Sequence, residues 1–314
     1  MPIGYDVCRE AFVLTYGMIV AMPSCAFTPL VAFSLDRAYA LAVAAELAYE
    51  NGDVVERAVR DEWGFRNCRF FDSDDSQALV AADGDTMIVA FRGTEAGDIS
   101  DWLTDADFSL VDGPLDGKVH EGFYDALADL WQVIDHEVQL HDPQQRKSLW
   151  ICGHSLGGAL AALAAARWTE AGRHVSGLYT FGQPRTGDAE FRRNFNFALK
   201  ASTFRFVNYN DLVTRVPPRA LGFSHIGTLK YFTDNGQLEG DVTWWQMFLD
   251  RWTFHVDGFL DGALEAAEDH SMTGYRQLIE AARHDPLETA MDVAVAAASA
   301  AVDILPFLAP RQKS

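Results

Sequence analysis

The stretch Leu149-Trp-Ile-Cys-Gly-His-Ser-Leu-Gly-Gly-Ala-Leu160 joins an apolar run to an alanine-rich run across a glycine-rich turn. The apolar residues 149–152 predict a buried strand, and residues 156–169 predict a helix. Between them lies a GxSxG sequence, Gly153 to Gly157. A serine on such a turn has a strained backbone with its hydroxyl exposed above the sheet, and the glycines remove side chains that would collide there. The pattern therefore predicts a nucleophile, Ser155, whereas the alternative is a plain turn with a capping serine.

Short β-rich runs and helical runs alternate on both sides of this segment. Helices are predicted over Asp36–Tyr49 and Phe123–Leu140, and strands over Thr86–Phe91, Ser176–Phe181 and Thr203–Asn208. Such alternation is typical of a parallel sheet covered by helices on its faces, so the sequence predicts the α/β class.

The composition fits one large domain. The chain has 314 residues, of which 49% are apolar and 12% aromatic, enough to bury a sizeable core. Its 25 basic and 45 acidic residues give a net charge of −20, which argues against nucleic acid as a partner, because phosphate contacts need Lys or Arg. Contact with lipid would have to be apolar.

Four cysteines, Cys8, Cys25, Cys68 and Cys152, are scattered through the chain. They form neither a CxxC motif nor a Cys/His ligand pattern, so the sequence indicates neither a metal site nor a disulfide framework. Cys152 lies in an apolar run, which favours a buried structural thiol.

Both ends of the chain differ from its middle. Residues 1–35 contain a long uncharged run. We expect either an apolar N-terminal extension, or a signal-like segment that is cleaved or attached to lipid at Cys25. If residues 1–26 act as a signal, the protein is secreted or lies in the cell envelope, and otherwise it is cytoplasmic. We expect the main domain over residues 36–285 and an alanine-rich helix and tail over residues 286–314.

Six motifs in a fixed order suggest a family. They are Phe91-Arg-Gly-Thr-Glu95 with Asp101-Trp102, Val119-His-Glu-Gly-Phe123, Gly153-His-Ser-Leu-Gly-Gly158, Thr180-Phe-Gly-Gln-Pro-Arg185 with Gly187-Asp188, Asn210-Asp-Leu-Val213 with Pro217-Pro218, and Asp269-His-Ser-Met272. Over roughly residues 91–278 the chain resembles the class 3 lipases, the family of the fungal triacylglycerol lipases. The resemblance implies the α/β-hydrolase fold, with a mostly parallel central sheet and helices on both faces.

A serine hydroxyl needs a histidine to take its proton, and that histidine needs a carboxylate to fix its tautomer. The chain order in α/β-hydrolases is Ser, then Asp or Glu, then His. Asp211 is the candidate for the acid. It follows the strand predicted at Thr203–Asn208, which is the second strand after the one that leads to Ser155, so its side chain should reach the same edge of the sheet. Its rivals are Asp188 and Asn210, and the alternative for Asp211 itself is a turn-forming residue.

Three histidines follow the acid in the chain, namely His225, His255 and His270. His270 precedes Ser271-Met272 and matches the catalytic position of the family. His225 matches a histidine that is structural in the family, and it stays as the alternative base. His255 lies off the apolar face of an amphipathic stretch, which favours a surface position.

The oxyanion formed in ester hydrolysis needs preorganised donors. The backbone N–H of Leu156 is one candidate, and the N–H and hydroxyl of Thr94 are the second, although Thr94 has the alternative of a turn residue capping the next helix. His120 and His154 match family positions too, but packing and hydrogen bonding explain them. This mechanism requires no metal ion and no organic cofactor.

Two apolar segments bear on the substrate. In fungal members of the family, the stretch corresponding to residues 95–103 is a lid, and Ile99, Trp102 and Leu103 would form its apolar underside or contact an acyl chain. Trp102 is alternatively part of a fixed core. The aromatic-rich stretch 243–267 either lines an acyl groove or lipid interface, or forms an extra helix over the sheet edge.

Three functions are compatible with the sequence. The first is a serine carboxylic-ester hydrolase, in the broad sense a triacylglycerol lipase, whose partner is a lipid or ester substrate, either at a lipid–water interface or in solution. The second is a phospholipase A1, a short-chain esterase or a feruloyl esterase. The third is a non-catalytic lipid-binding module.

Overall fold

The computed structural model describes residues 33–73, 76–93, 108–209, 211–240 and 269–285. Several predictions lie outside these residues. They concern the N-terminal segment, Thr94, the lid residues Ile99, Trp102 and Leu103, Asn210, the aromatic-rich stretch 243–267 with His255, and the C-terminal segment 286–314. The boundaries of the three predicted regions therefore stay predictions.

Twelve strands and six α-helices occur in the described residues. The strands are β1 (Asn67–Ser73), β2 (Ser76–Asp83), β3 (Thr86–Phe91), β4 (Leu110–Gly113), β5 (Gly117–His120), β6 (Ser148–His154), β7 (Gly177–Phe181), β8 (Gly187–Asp188), β9 (Thr203–Asn208), β10 (Phe223–Ser224), β11 (Thr228–Phe232) and β12 (Leu238–Glu239). The helices are α1 (Leu35–Leu47), α2 (Gly52–Asp61), α3 (Glu121–His141), α4 (Leu156–Glu170), α5 (Ala189–Leu199) and α6 (Met272–Arg283).

Eight of these strands form the central sheet, in the order β1-β2-β3-β6-β7-β9-β11-β12. The five neighbours from β3 to β11 run parallel, while β1, β2 and β12 pair antiparallel at the two sides. A sheet that is parallel in its middle confirms the predicted fold class.

Helices cover both faces of the sheet. In β6, Trp150 and Cys152 pack into the core shared with α1, α2 and α6, whereas Leu149 and Ile151 pack into the core shared with α3, α4 and α5. Successive side chains of a strand point to opposite faces, so an apolar residue at every position is what a strand buried on both sides requires. The buried thiol predicted at Cys152 is confirmed.

Several elements of the fold were not predicted. Strands β1 and β2 extend the sheet antiparallel before β3, and a second sheet forms in the order β10-β8-β5-β4. Most side chains of β1 are exposed or half-buried, so its apolar pattern is weak, and β8 and β10 are only two residues long. Such strands are defined by their partners rather than by their own sequence.

The parallel strands bring three predicted residues to one edge of the sheet. Ser155 follows β6, Asp211 lies three residues after β9, and the two strands are separated only by β7. His270 lies two residues before α6, which packs against α1. Within the described ranges, no helix has the length and apolar character needed to cross a bilayer.

Candidate active site

Ser155 lies on the sharp turn between β6 and α4. Its backbone has φ 56° and ψ −129°, a conformation that non-glycine residues rarely adopt and that costs about 1–3 kcal/mol. The Ser155 N–H donates to the carbonyl of Phe181 in β7 at 2.9 Å. The sheet thus holds the strained turn in place.

The glycines around Ser155 are required by close backbone contacts. A Cβ atom on Gly153 would lie 2.2 Å from the Gly157 carbonyl oxygen, and one on Gly157 would lie 2.3 Å from the carbonyl oxygen of Phe91. Both distances are far below ordinary contact, so the steric reason predicted for these two glycines is confirmed.

His270 and Asp211 form a buried pair. His270 Nδ1 lies 2.8 Å from Asp211 Oδ2, and the two side chains are 2% and 0% exposed. The other oxygen, Oδ1, accepts the Val213 N–H at 2.9 Å. Asp211 therefore forms the turn that we considered as its alternative and also orients the histidine ring, one oxygen serving each purpose.

The second ring nitrogen of His270 is available for proton transfer. Its Nε2 is buried and has no hydrogen-bond partner among the described residues. Because Nδ1 bonds to the carboxylate, Nε2 is the nitrogen that can accept a proton from a nucleophile.

His225, the alternative base, has different neighbours. Burial, and then the positive charges of Arg205 and Arg185, lower its pKa well below the ordinary histidine value. In the described part of the chain, the carboxylate of Asp211 bonds to His270 and Tyr275 rather than to His225. Asp188, the rival acid, instead caps α5 by accepting the Phe191 N–H at 2.7 Å.

Tyr275 is part of the site, although no motif in the sequence predicts this role. Its hydroxyl donates to Asp211 Oδ2 at 2.6 Å and accepts the Asn208 N–H at 2.9 Å. Burial and the Asp211 charge raise the pKa of this phenol, which therefore stays a donor. The Asn208 side chain donates to the Asp269 carbonyl at 2.9 Å, linking β9 to the residue before His270. No sequence pattern links an isolated tyrosine to a distant carboxylate.

Gly182 packs directly against Asp211 and His270. It has φ 61°, and a Cβ atom there would lie 2.8 Å from Asp211 Oδ2 and 2.9 Å from His270 Nδ1. The motif Thr180-Phe-Gly-Gln-Pro-Arg185 thus places a residue without a side chain beside the pair.

Leu156 and Gly93 border the predicted oxyanion site. Leu156 is the first residue of α4, so its N–H has no acceptor within the helix. A Cβ atom on Gly93 would lie 2.4 Å from the His154 carbonyl and 2.9 Å from Ser155 Cβ. As expected, the absence of a side chain at Gly93 lets the loop that leads to Thr94 approach the turn closely, while Thr94 itself lies outside the described residues.

The two other family-type histidines have structural contacts. His120 Nδ1 accepts the Phe123 N–H at 3.4 Å, and the two rings stack with centroids 4.0 Å apart. His154 Nδ1 lies 2.7 Å from the Tyr49 hydroxyl, and its Nε2 lies 2.6 Å from the His270 carbonyl oxygen.

In the described ranges, no group of three or more His, Cys, Asp or Glu side chains could hold a metal ion. The described residues instead bring together three groups. Ser155 has a strained backbone, His270 is buried with no hydrogen-bond partner for Nε2, and the Asp211 carboxylate accepts hydrogen bonds from three donors.

Residues 88–221 match the family model described as Lipase (class 3). The chain is 30% identical over 247 residues to the triacylglycerol lipase OBL1 of Arabidopsis thaliana, covering 60% of this chain and 48% of that protein. It is 37% identical over 172 residues to a lipase of Rhizomucor miehei, covering 51% of this chain and 46% of that protein. The chain therefore spans about half the length of these curated relatives.

Solved structures give a similar result. The Rhizomucor miehei triacylglyceride lipase aligns with a TM-score of 0.57 at 25% identity, covering 70% of this chain and 90% of that one. A mono- and diacylglycerol lipase from Aspergillus oryzae aligns with a TM-score of 0.57 at 24% identity, covering 66% and 86% of the two chains. The second likeness bears on the fold alone.

Proposed function

Because this chain belongs to the class 3 lipase family, we propose that it hydrolyses carboxylic esters through a Ser155, Asp211, His270 triad and an acyl-enzyme intermediate. One observation carries the proposal. Ser155, with φ 56° on a strand-to-helix turn, lies at the same sheet edge as the buried pair of Asp211 and His270. In this pair, the Nε2 atom of His270 has no hydrogen-bond partner among the described residues.

Acylation begins with the attack of Ser155 Oγ on the ester carbonyl carbon. His270 Nε2 takes the hydroxyl proton, and the resulting imidazolium is stabilised through Nδ1–H by Asp211 Oδ2. His270 then gives this proton to the alkoxide leaving group, so that the alcohol departs and the acyl group stays on Ser155. Water, activated by the same nitrogen, releases the acid and restores the serine.

The oxyanion of each tetrahedral intermediate needs donors aimed at it before the reaction. The Leu156 N–H, at the positive end of the α4 dipole, supplies one. We assign the second to Thr94, the residue that follows Gly93 in the sequence.

For the substrate we propose acylglycerols with long acyl chains, bound at a lipid–water interface. The names of the relatives support this class, since they are triacylglycerol lipases and a secreted mono- and diacylglycerol lipase of Fusarium solani. Ile99, Trp102 and Leu103 would contact the acyl chain or form a lid. Phospholipid, short-chain and feruloyl esters are the competing substrates, and assays on emulsified and soluble esters of graded chain length separate them.

Labelling with a fluorophosphonate tests the nucleophile independently of the natural ester. We expect mass spectrometry to find the label on Ser155 and Ser155→Ala to remain unlabelled. Both Ser155→Ala and His270→Ala should lower kcat for a p-nitrophenyl ester by roughly 10⁴-fold or more.

Ser176→Ala is the matched control. Ser176 lies directly before β7, and its backbone N–H bonds to the Leu149 carbonyl, a contact that the substitution keeps. This variant should keep full labelling and full activity. Full activity in His270→Ala would refute the triad and would favour His225 as the base.

A further inference from the structure

His154, the residue before the nucleophile, lies against the ring of His270. The two imidazole centroids are 4.5 Å apart, with an angle of 35° between the rings. His154 is 4% exposed, and its Nε2 lies 2.6 Å from the backbone carbonyl oxygen of His270. One buried histidine therefore contacts both the ring and the backbone of the other.

The hydrogen-bond partners of His154 define its tautomer. A carbonyl oxygen only accepts, so the His154 Nε2 carries the proton and donates it to His270. In the neutral ring, Nδ1 then has a lone pair, and the Tyr49 hydroxyl 2.7 Å away donates to it. Tyr49 thus donates to His154, and His154 donates to the backbone of His270.

We infer that Tyr49 and His154 are positioning residues for His270, which hold its backbone and ring in place for proton transfer. The inference rests on the proposed function, since it concerns the base of that reaction. Neither residue needs to touch the reacting atoms. Tyr49 acts through His154, and His154 acts through the carbonyl and the ring face of His270.

Charge supports this role. His270 becomes a cation during each proposed turnover, so a charged neighbour at 4.5 Å would oppose that step. Burial, and then the proximity of His270, hold the pKa of His154 well below its ordinary value. His154 therefore stays neutral, and its Nδ1 stays free to accept from Tyr49.

Tyr49 is itself confined by the loop that leads to the predicted oxyanion site. The Arg92 guanidinium lies over the Tyr49 ring, 5.5 Å from its centroid. A Cβ atom on Gly93 would lie 2.6 Å from the Tyr49 hydroxyl oxygen. Tyr49 thus packs between this loop and His154, two residues after the end of α1.

Tyr49→Phe tests the inference, because it removes one hydroxyl and keeps the ring. We expect kcat for a soluble p-nitrophenyl ester to fall about tenfold with KM within twofold of wild type, since substrate contacts are unchanged. In the ¹⁵N spectrum of histidine-labelled protein, the two ring nitrogens of His270, assigned with His270→Asn, should move toward each other. This change would report a less strictly fixed His270 tautomer.

Tyr39→Phe is the matched control, since Tyr39 lies in α1, the helix that precedes Tyr49, and its hydroxyl donates to Glu280 instead, at 3.5 Å. It should leave kcat within twofold and the His270 nitrogens unshifted. For Tyr49→Phe, a kcat within twofold of wild type or unshifted His270 nitrogens would overturn the inference.

A second pair of variants covers His154 itself. His154→Gln keeps an amide that can donate to His270 and accept from Tyr49, whereas His154→Leu fills the space with neither bond. We expect a larger loss of kcat in His154→Leu than in His154→Gln, and equal losses would overturn the inference.

Phosphonate labelling distinguishes a failure of the proposed function from a failure of the positioning role. Wild type that resists labelling refutes the hydrolase function, whereas equal labelling rates in wild type and Tyr49→Phe refute only the positioning role.

Discussion

Gly182→Ala adds a single methyl group where the structure has no room for one. Gly182 has φ 61°, and the new Cβ atom would lie 2.8 Å from both Asp211 Oδ2 and His270 Cε1. Ordinary contact begins near 3.4 Å, so Asp211 and His270 must each move by a few tenths of an ångström or more. The hydrogen bond between them measures 2.8 Å and tolerates little such movement.

Two costs contribute to the magnitude. Alanine at positive φ costs about 1 kcal/mol, and overpacking a buried site typically costs about 1–3 kcal/mol more. We therefore expect the free energy of unfolding to fall by about 3 kcal/mol. Because misplacing a catalytic group by 1 Å can cost about 100-fold in rate, we expect kcat to fall by roughly one to two orders of magnitude.

Gly172→Ala separates the two costs. Gly172 has φ 79°, and a Cβ atom there would meet nothing within 4 Å. Urea denaturation should show a loss of about 1 kcal/mol for this control, from the backbone term alone, and a p-nitrophenyl ester assay should show wild-type kcat. Wild-type kcat in Gly182→Ala, or equal stability losses in the two variants, would refute the reasoning.

Two further predictions concern buried polar groups. Tyr275→Phe removes the hydroxyl that donates to Asp211 and accepts from the Asn208 N–H, and since a hydrogen bond to a charged group contributes about 1.5–3 kcal/mol, urea denaturation should show a loss of about 2 kcal/mol. A loss below about 0.5 kcal/mol would contradict this contact. Burial lowers the pKa of His154 and of His225 well below the ordinary value, so below about pH 6.5 the unfolded chain binds protons that the folded chain does not, and the free energy of unfolding should fall as the pH falls. His225→Asn should reduce this slope by up to about 1.4 kcal/mol per pH unit, which denaturation at pH 7 and pH 5 would measure, and an unchanged slope would count against it.

Much of the fold follows from local patterns. The strands predicted at Thr86–Phe91 and Thr203–Asn208 have those bounds in the structure, and the helix predicted over residues 156–169 ends one residue later. These segments are buried on both sides or nearly all round, so their apolar residues are continuous and easy to read. Strand β1 was missed because it lies at the sheet edge with mostly exposed or half-buried side chains.

In the candidate site, too, some features follow from the sequence and others do not. The turn at Ser155 was predicted because the glycines that it requires are adjacent in the sequence. The position of Asp211 followed from strand order, since parallel strands end at one edge. The contacts of Tyr49 with His154 and of Tyr275 with Asp211 were not predicted, because they join residues 105 and 64 positions apart.

The sequence by itself determined the α/β class, the strained turn and the order of serine, acid and histidine, because each depends on neighbouring residues or on strand order. Only the tertiary structure decided which oxygen of Asp211 faces His270, that Tyr275 shares this oxygen, and that His154 donates to the His270 backbone. The physical reason is that a tyrosine or histidine gains a role only when distant helices and strands bring a donor and an acceptor within 3 Å in a buried site, where leaving either one unpaired is costly.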